Sequence, residues 1–168
     1  MSVSMFQITV PVYVQRLNGL AGCLKKAQAL YAEKKYDETS LLNYRLFPDM
    51  YNFARQVQAA TDHARNGAAR LAGQEPLAIE ANEKSLAELI SRVEKTISCL
   101  QAFKAEQIDG SEEKTIVLKF RDRETSYKGL AFVLNQSMPN FYFHSTTAYT
   151  ILRHNGVEIG KRDFMGAA

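Results

Sequence analysis

His144 has more chemical scope than any other side chain in this sequence. It ends the run Pro139-Asn140-Phe141-Tyr142-Phe143-His144, with Asn140 four residues before it. Residues at i and i+4 share one face of a helix, so an amide and an imidazole would project there side by side. An imidazole near neutral pH can act as a general base, a hydrogen-bond donor or a metal ligand. Pro139 adds a second feature. It lacks an amide hydrogen, so in a helix the carbonyl of Asn135 would lose its donor and turn to water or a side chain. A hydrated kink there would open a small polar pocket between helices. The alternative is a packed histidine satisfied by a neighbouring hydroxyl or carboxylate.

His63 and His154 are the remaining histidines. His63, beside Asp62, borders the apolar stripe of Val57, Ala60 and Ala64, a place suited either to a boundary residue or to a pocket wall. Arg55 and Gln56 could pair with an acidic group, line a pocket mouth, or hold a structural hydrogen bond. Tyr142, Phe143 and Tyr149 could shape a ligand cavity, although aromatics at helical spacing also build cores and dimer interfaces. His154, following Arg153, suits the negative end of a helix. Other chemistries have no carrier: glycine-rich phosphate loops, GxSxG, HExxH and paired ExxH motifs are all missing. Cys23 and Cys99 fall inside helical patterns without CxxC spacing and read as buried, reduced, inert thiols.

These residues must be placed by helices. Residues 4 to 34 read as one long helix in which Phe6, Val10, Val14, Leu17, Ala21, Leu24 and Tyr31 repeat at steps of three and four. Pro11 either kinks that helix or marks where its regular part starts. Gly19 and Gly22 would admit another helix closely. Asp37 to Tyr44 suggests a short turn of helix. A second long helix follows Pro48, capped by Asp49, carrying Met50, Phe53, Val57, Ala60, Ala64, Ala68 and Leu71, and ending at Gly73. Gln74 to Lys84 is a polar linker. Ser85 and Glu88 form a capping box for a third helix, whose stripe runs from Leu86 to Phe103.

The period then changes. Ile116, Leu118 and Phe120 alternate as a strand, Arg121 to Glu124 is turn-like, and Thr125 to Tyr127 can pair back. Two strands alone are marginal in water, so the hairpin must lie against the helices. A fourth helix runs to Asn155 with Leu130, Leu134, Met138, Phe141, Ser145, Ala148 and Leu152 on one face, and Gly156 ends it. The tail from Val157 to Ala168 carries Lys161, Arg162 and Phe164, which could dock across the bundle or onto a partner subunit. The expectation is an all-α four-helix bundle with a small β-hairpin between helices three and four, in one domain spanning 1–168.

Composition narrows the function classes. A chain of 168 residues with 46% hydrophobic and 23% charged residues suits a soluble globular domain. The net charge of +3 is spread along the chain rather than gathered in a basic stripe, so no nucleic-acid partner is expected. No run approaches the ~18 apolar residues of a membrane span, and no secretory signal opens the chain, which suggests a bacterial-type cytoplasmic protein.

Several motifs together resemble a bacterial family of unknown function within the DinB-like superfamily of four-helix bundles. They are Asp49-Met50 with Arg55-Gln56-Val57-Gln58, Arg70-Leu71-Ala72-Gly73, the Pro139–His144 run with Thr147-Ala148-Tyr149, Leu152–Val157, and Gly160–Phe164. The resemblance covers essentially the whole chain and implies a bundle with a hairpin before its last helix, often as a homodimer. The superfamily includes metal-dependent thiol-cofactor transferases and a maleylpyruvate isomerase. Their divalent metal, zinc or nickel, is held by a histidine on the second helix and a His-x-x-x-His pair on the fourth. Here Asn140 and His144 match the pair, and His63 is the second-helix candidate. Asparagine offers only a neutral oxygen. The expectation is therefore a binding or interaction homodimer with a small-molecule pocket and an incomplete metal site formed by His144, His63 and Asn140. The alternative is a transferase or isomerase using a divalent metal with a low-molecular-weight thiol.

Overall fold

A computed structural model describes residues 4–120 and 122–166. Arg121 of the expected turn, the side chain of Phe120, and Ala167 and Ala168 of the tail lie outside the described residues. The order is α1 (Val10–Lys34), α2 (Glu38–Leu42), α3 (Phe53–Leu71), α4 (Leu86–Gln101), α5 (Ala105–Ile108), β1 (Thr115–Phe120), β2 (Arg123–Lys128) and α6 (Gly129–Phe132). A π-helical turn, Val133–Ser137, joins α6 to α7 (Met138–His154), and α8 (Lys161–Met165) follows. The molecule is an all-α four-helix bundle with one antiparallel hairpin, as the periodicities imply. α1 packs on α4 and α3 on α7, while α3 against α4 and α1 against α7 close the core.

Local chemistry sets the helix ends. Pro11 falls in the first turn of α1, where its missing amide costs nothing, so the helix begins there rather than bending. The cap of α3 is Asn52, whose side chain accepts from Arg55 N at 3.0 Å. Asp49, the expected cap, lies too early, because Met50 is held in a turn by its hydrogen bond to the Phe47 carbonyl. Ser85 caps α4, accepting from Glu88 N at 3.2 Å. The Glu88 carboxylate takes the Lys84 amide at 2.6 Å rather than that of Ser85, so the box is displaced by one residue.

The stripe Phe53, Val57, Ala60, Ala64, Ala68 and Leu71 is fully buried, and its small residues bring α3 close to α7. The expected face of the fourth helix is only half right. Leu130 and Leu134 are exposed, Leu134 by 57%, while Phe132 and Val133 are buried. The π turn is the reason. Its i→i+5 bond, Met138 N to Val133 O, takes up one extra residue and rotates everything before it by about 100°. Pro139 falls in the first turn of α7, directly after the π turn, where its missing amide is tolerated.

The tail docks on its own bundle. A Cβ on Gly19 would meet the Phe164 carbonyl at 2.6 Å, so this glycine admits α8. Gly22, expected to do likewise, faces open space. Arg16 donates to the Phe164 carbonyl at 2.7 Å, and Lys26 pairs with Asp163 at 2.7 Å. Cys23 is buried, and burial foremost pushes its thiol up to about 11. Cys99, expected to be buried, is exposed. Among the described residues, no helix is long and apolar enough to cross a membrane.

Candidate functional site

α3 and α7 bring the two histidines together. His144 is 9% exposed, and its ring lies near-parallel to that of His63, with centroids 5.4 Å apart. Tyr51 covers His144 at 6.0 Å, and Phe143 meets it edge-on at 5.2 Å. The partner of His144 is Gln56, 2.7 Å from Nδ1, rather than a hydroxyl or carboxylate. The tautomer follows from this. Gln56 Nε2 donates to the Tyr51 carbonyl at 3.3 Å, which turns Oε1 toward the imidazole, so Nδ1 carries the proton and Nε2 keeps its lone pair. Burial, then the charges of His63 and Arg55, lower the His144 pKa to about 4. Burial also lowers that of His63, opposed by Asp62 and reinforced by Arg70 and Arg55. Both rings are neutral at pH 7.

A cleft of about 250 Å³ opens beside this pair, between α3, the hairpin and the π turn. Asp62, His63, Asn66 and Arg70 line it from α3, and Lys119 from β1. Gln136, Ser137 and Asn140 complete the wall. Close approach depends on Gly67, where a Cβ would collide with Ser137 Oγ and come within 3.0 Å of the Tyr13 hydroxyl. Ser137 Oγ in turn shares a 2.7 Å hydrogen bond with that buried hydroxyl. Asn140 Nδ2 donates to the Gln136 carbonyl at 2.7 Å, and among the described residues its Oδ1 has no donor.

Asp62 is the acidic group of the cleft, and arginines surround it. Arg92 lies 2.7 Å away, Arg65 3.2 Å and Arg55 4.0 Å. Arg55 also lies over the Tyr51 ring at 5.5 Å. Tyr142 packs against Phe141 at 5.5 Å and does not line the cleft. The site residues read from sequence thus divide. Asp62, His63 and Asn140 share the cleft, Gln56 and Arg55 hold the surroundings of His144, and His144 itself lies outside the cleft lining. The sequence reading missed Arg70, although His63, Asn66 and Arg70 recur at steps of three and four on α3. Lys119 carried no such signal, because only the tertiary placement of the hairpin brings it in.

The DinB-like resemblance implies a three-donor metal centre, and these residues do not fit one. Among the described residues, no three of His, Cys, Asp and Glu come together in a way that could hold an ion. Two imidazoles and a neutral amide oxygen are a weak set for zinc or nickel.

Comparison with known proteins agrees with the fold. The family described as Domain of unknown function (DUF1993) matches residues 5–165. A solved structure of a DinB family member protein from Shewanella denitrificans is 38% identical, covering 97% of this chain and 92% of that chain, with a TM-score of 0.87. No curated protein matches the chain.

Proposed function

The chain belongs to the DUF1993 family within the DinB-like superfamily, and from that premise we propose that it is a binding protein whose α3–hairpin–α7 cleft takes a small polar molecule. The observation that carries this reading is the pairing of a polar cleft with a histidine pair held neutral and short of a third strong donor. In this reading no resident metal is needed. Gln56 fixes the His144 ring, and His63 presents a neutral imidazole to the cleft. The protein acts as a homodimer; Phe143 and Tyr51, 55% and 49% exposed beside His144, are the apolar surface that supports this.

Metal analysis of untagged protein tests the first part. The expected result is substoichiometric zinc and nickel. Stoichiometric metal that disappears in His144→Ala would overturn the reading. It would favour instead a divalent-metal transferase or isomerase working with a thiol cofactor through His144 and His63. One observation speaks for that competitor, the lone pair left on His144 Nε2 by its bond to Gln56. Light scattering on the purified protein checks the dimer, and a mass near 18.9 kDa would exclude it.

A further inference from the structure

We propose that the occupant of the cleft is a small oxyanion, a carboxylate or phosphate that also carries a hydroxyl or amine, gripped by Arg70 and oriented by Asn140. The inference rests on the cleft being a binding site and adds the chemistry of what it binds.

Arginines near the cleft are used unequally. Arg55, Arg65 and Arg92 converge on Asp62. Arg70 has no side-chain hydrogen bond, and no ion pair within 4.0 Å, among the described residues. It is nonetheless half-buried, and burial draws its pKa down against the pull of Glu75. A desolvated guanidinium without a counter-ion gains more from an incoming anion than a solvated one does. Its planar fork matches the two oxygens of a carboxylate or phosphate. Lys119 supplies a second cation on the facing strand; among the described residues it pairs with Glu124 at 3.5 Å, with side chains 78% and 58% exposed, so it is free to swing. His63, being neutral, does not oppose a cation-rich lining.

The acceptors define the rest of the ligand. Asn140 has committed its amide hydrogens to Gln136, so its oxygen seeks a donor. An oxyanion alone would leave that oxygen unmatched, whereas a hydroxyl or amine elsewhere on the molecule would satisfy it. About 250 Å³ corresponds to roughly eight water volumes, enough for a compact hydroxy acid or phosphate ester and too little to enclose a nucleotide.

The experiment is a titration of the isotope-labelled full chain followed by NMR, with acetate, glycolate, inorganic phosphate, glycerol 3-phosphate and glycerol as probes. Glycolate and glycerol 3-phosphate should move the Arg70 Nε–H, the His63 ring and the Asn140 side-chain amide. Each should bind about three- to tenfold more tightly than acetate or phosphate respectively, the scale of one neutral hydrogen bond from the ligand hydroxyl to the Asn140 oxygen. Which of the two binds better decides between carboxylate and phosphate. Arg70→Gln should weaken binding at least about tenfold and Arg70→Lys less, while Arg153→Gln on the exposed end of α7 leaves it unchanged. If glycerol moves the cleft signals and the oxyanions do no better, the anion inference fails and the cleft reading stands. If none of the probes moves those signals, both fall. Affinity unaltered in a folded Arg70→Gln protein also overturns the inference.

Discussion

The state of His144 is set by one neighbour, and that makes it measurable. Because Gln56 accepts from Nδ1–H, the ring should show the Nδ1–H tautomer in nitrogen-15 spectra at pH 7. Gln56→Leu removes the acceptor and leaves a buried donor unmatched, which should cost about 1–3 kcal/mol in urea unfolding and shift the tautomer. The protonation equilibrium carries a second prediction. The unfolded ring titrates near 6.5 and the folded one near 4, so the unfolded chain binds the proton first. The stability contributed by the neutral ring is complete above pH 6.5 and is lost as pH falls toward 4. Each pKa unit corresponds to about 1.4 kcal/mol, and screening at this partly accessible edge reduces the total to about 1–2 kcal/mol. Unfolding free energies between pH 7.5 and 4.5 should show that loss, and His144→Gln should flatten the curve. A profile unchanged by the substitution would mean that His144 is not the titrating group.

At the level of elements, side-chain patterns forecast where helices lie better than how they begin or bend. Replacing Asn52 by alanine should cost about 1 kcal/mol, since its side chain caps α3. Asp49→Ala should change little, and thermal unfolding of the two variants decides between the sequence reading and the structure. Gly67→Ala is the stronger test, because a methyl there meets both Ser137 Oγ and the Tyr13 hydroxyl. Overpacking of this kind costs about 1–3 kcal/mol and should also loosen the π turn, visible as faster amide exchange around Ser137. The stripes of α3 and α4 were legible because an apolar repeat of 3.6 needs no knowledge of the partner helix. The π turn was not, since inserting one residue leaves both flanking patterns intact and only changes their phase. That change of phase is why the apolar period points Leu130 and Leu134 inward while the fold exposes them. Half of the site was readable as well. His63, Asn140 and His144 are rare residue types in a helical register, whereas Arg70 and Lys119 are ordinary surface types whose meaning comes from what they lack or face.

Across the whole molecule, a buried cation anchors the segment between α3 and α4. Arg92, 4% exposed, donates to Thr61 Oγ1 at 2.8 Å, to the Glu80 carbonyl at 2.9 Å, to Glu83 at 2.8 Å and to Asp62 at 2.7 Å. It therefore ties together α3, α4 and the stretch that reads in sequence as a polar linker. Glu83 shows the effect. Burial alone would raise its pKa, but hydrogen bonds from Arg92, its own backbone and Gln58 hold it below the usual carboxylate value. Such a network says little about net stability while complete, because desolvation offsets its Coulomb energy. Breaking it is another matter. Arg92→Met keeps much of the volume, yet leaves Glu83 and the Glu80 carbonyl facing an apolar side chain, at a cost of about 3–5 kcal/mol. Lys25→Ala, which removes only an exposed 2.7 Å pair with Glu94, should cost less than about 1 kcal/mol. The larger loss should be partly local, because Glu80 and Glu83 would be freed before the helices part. Limited proteolysis under native conditions should then cut Arg92→Met between residues 74 and 84 at least tenfold faster than the parent, while cutting elsewhere follows global stability. Equal acceleration at every site would show that Arg92 stabilises the bundle as a whole and does not specifically anchor the connection.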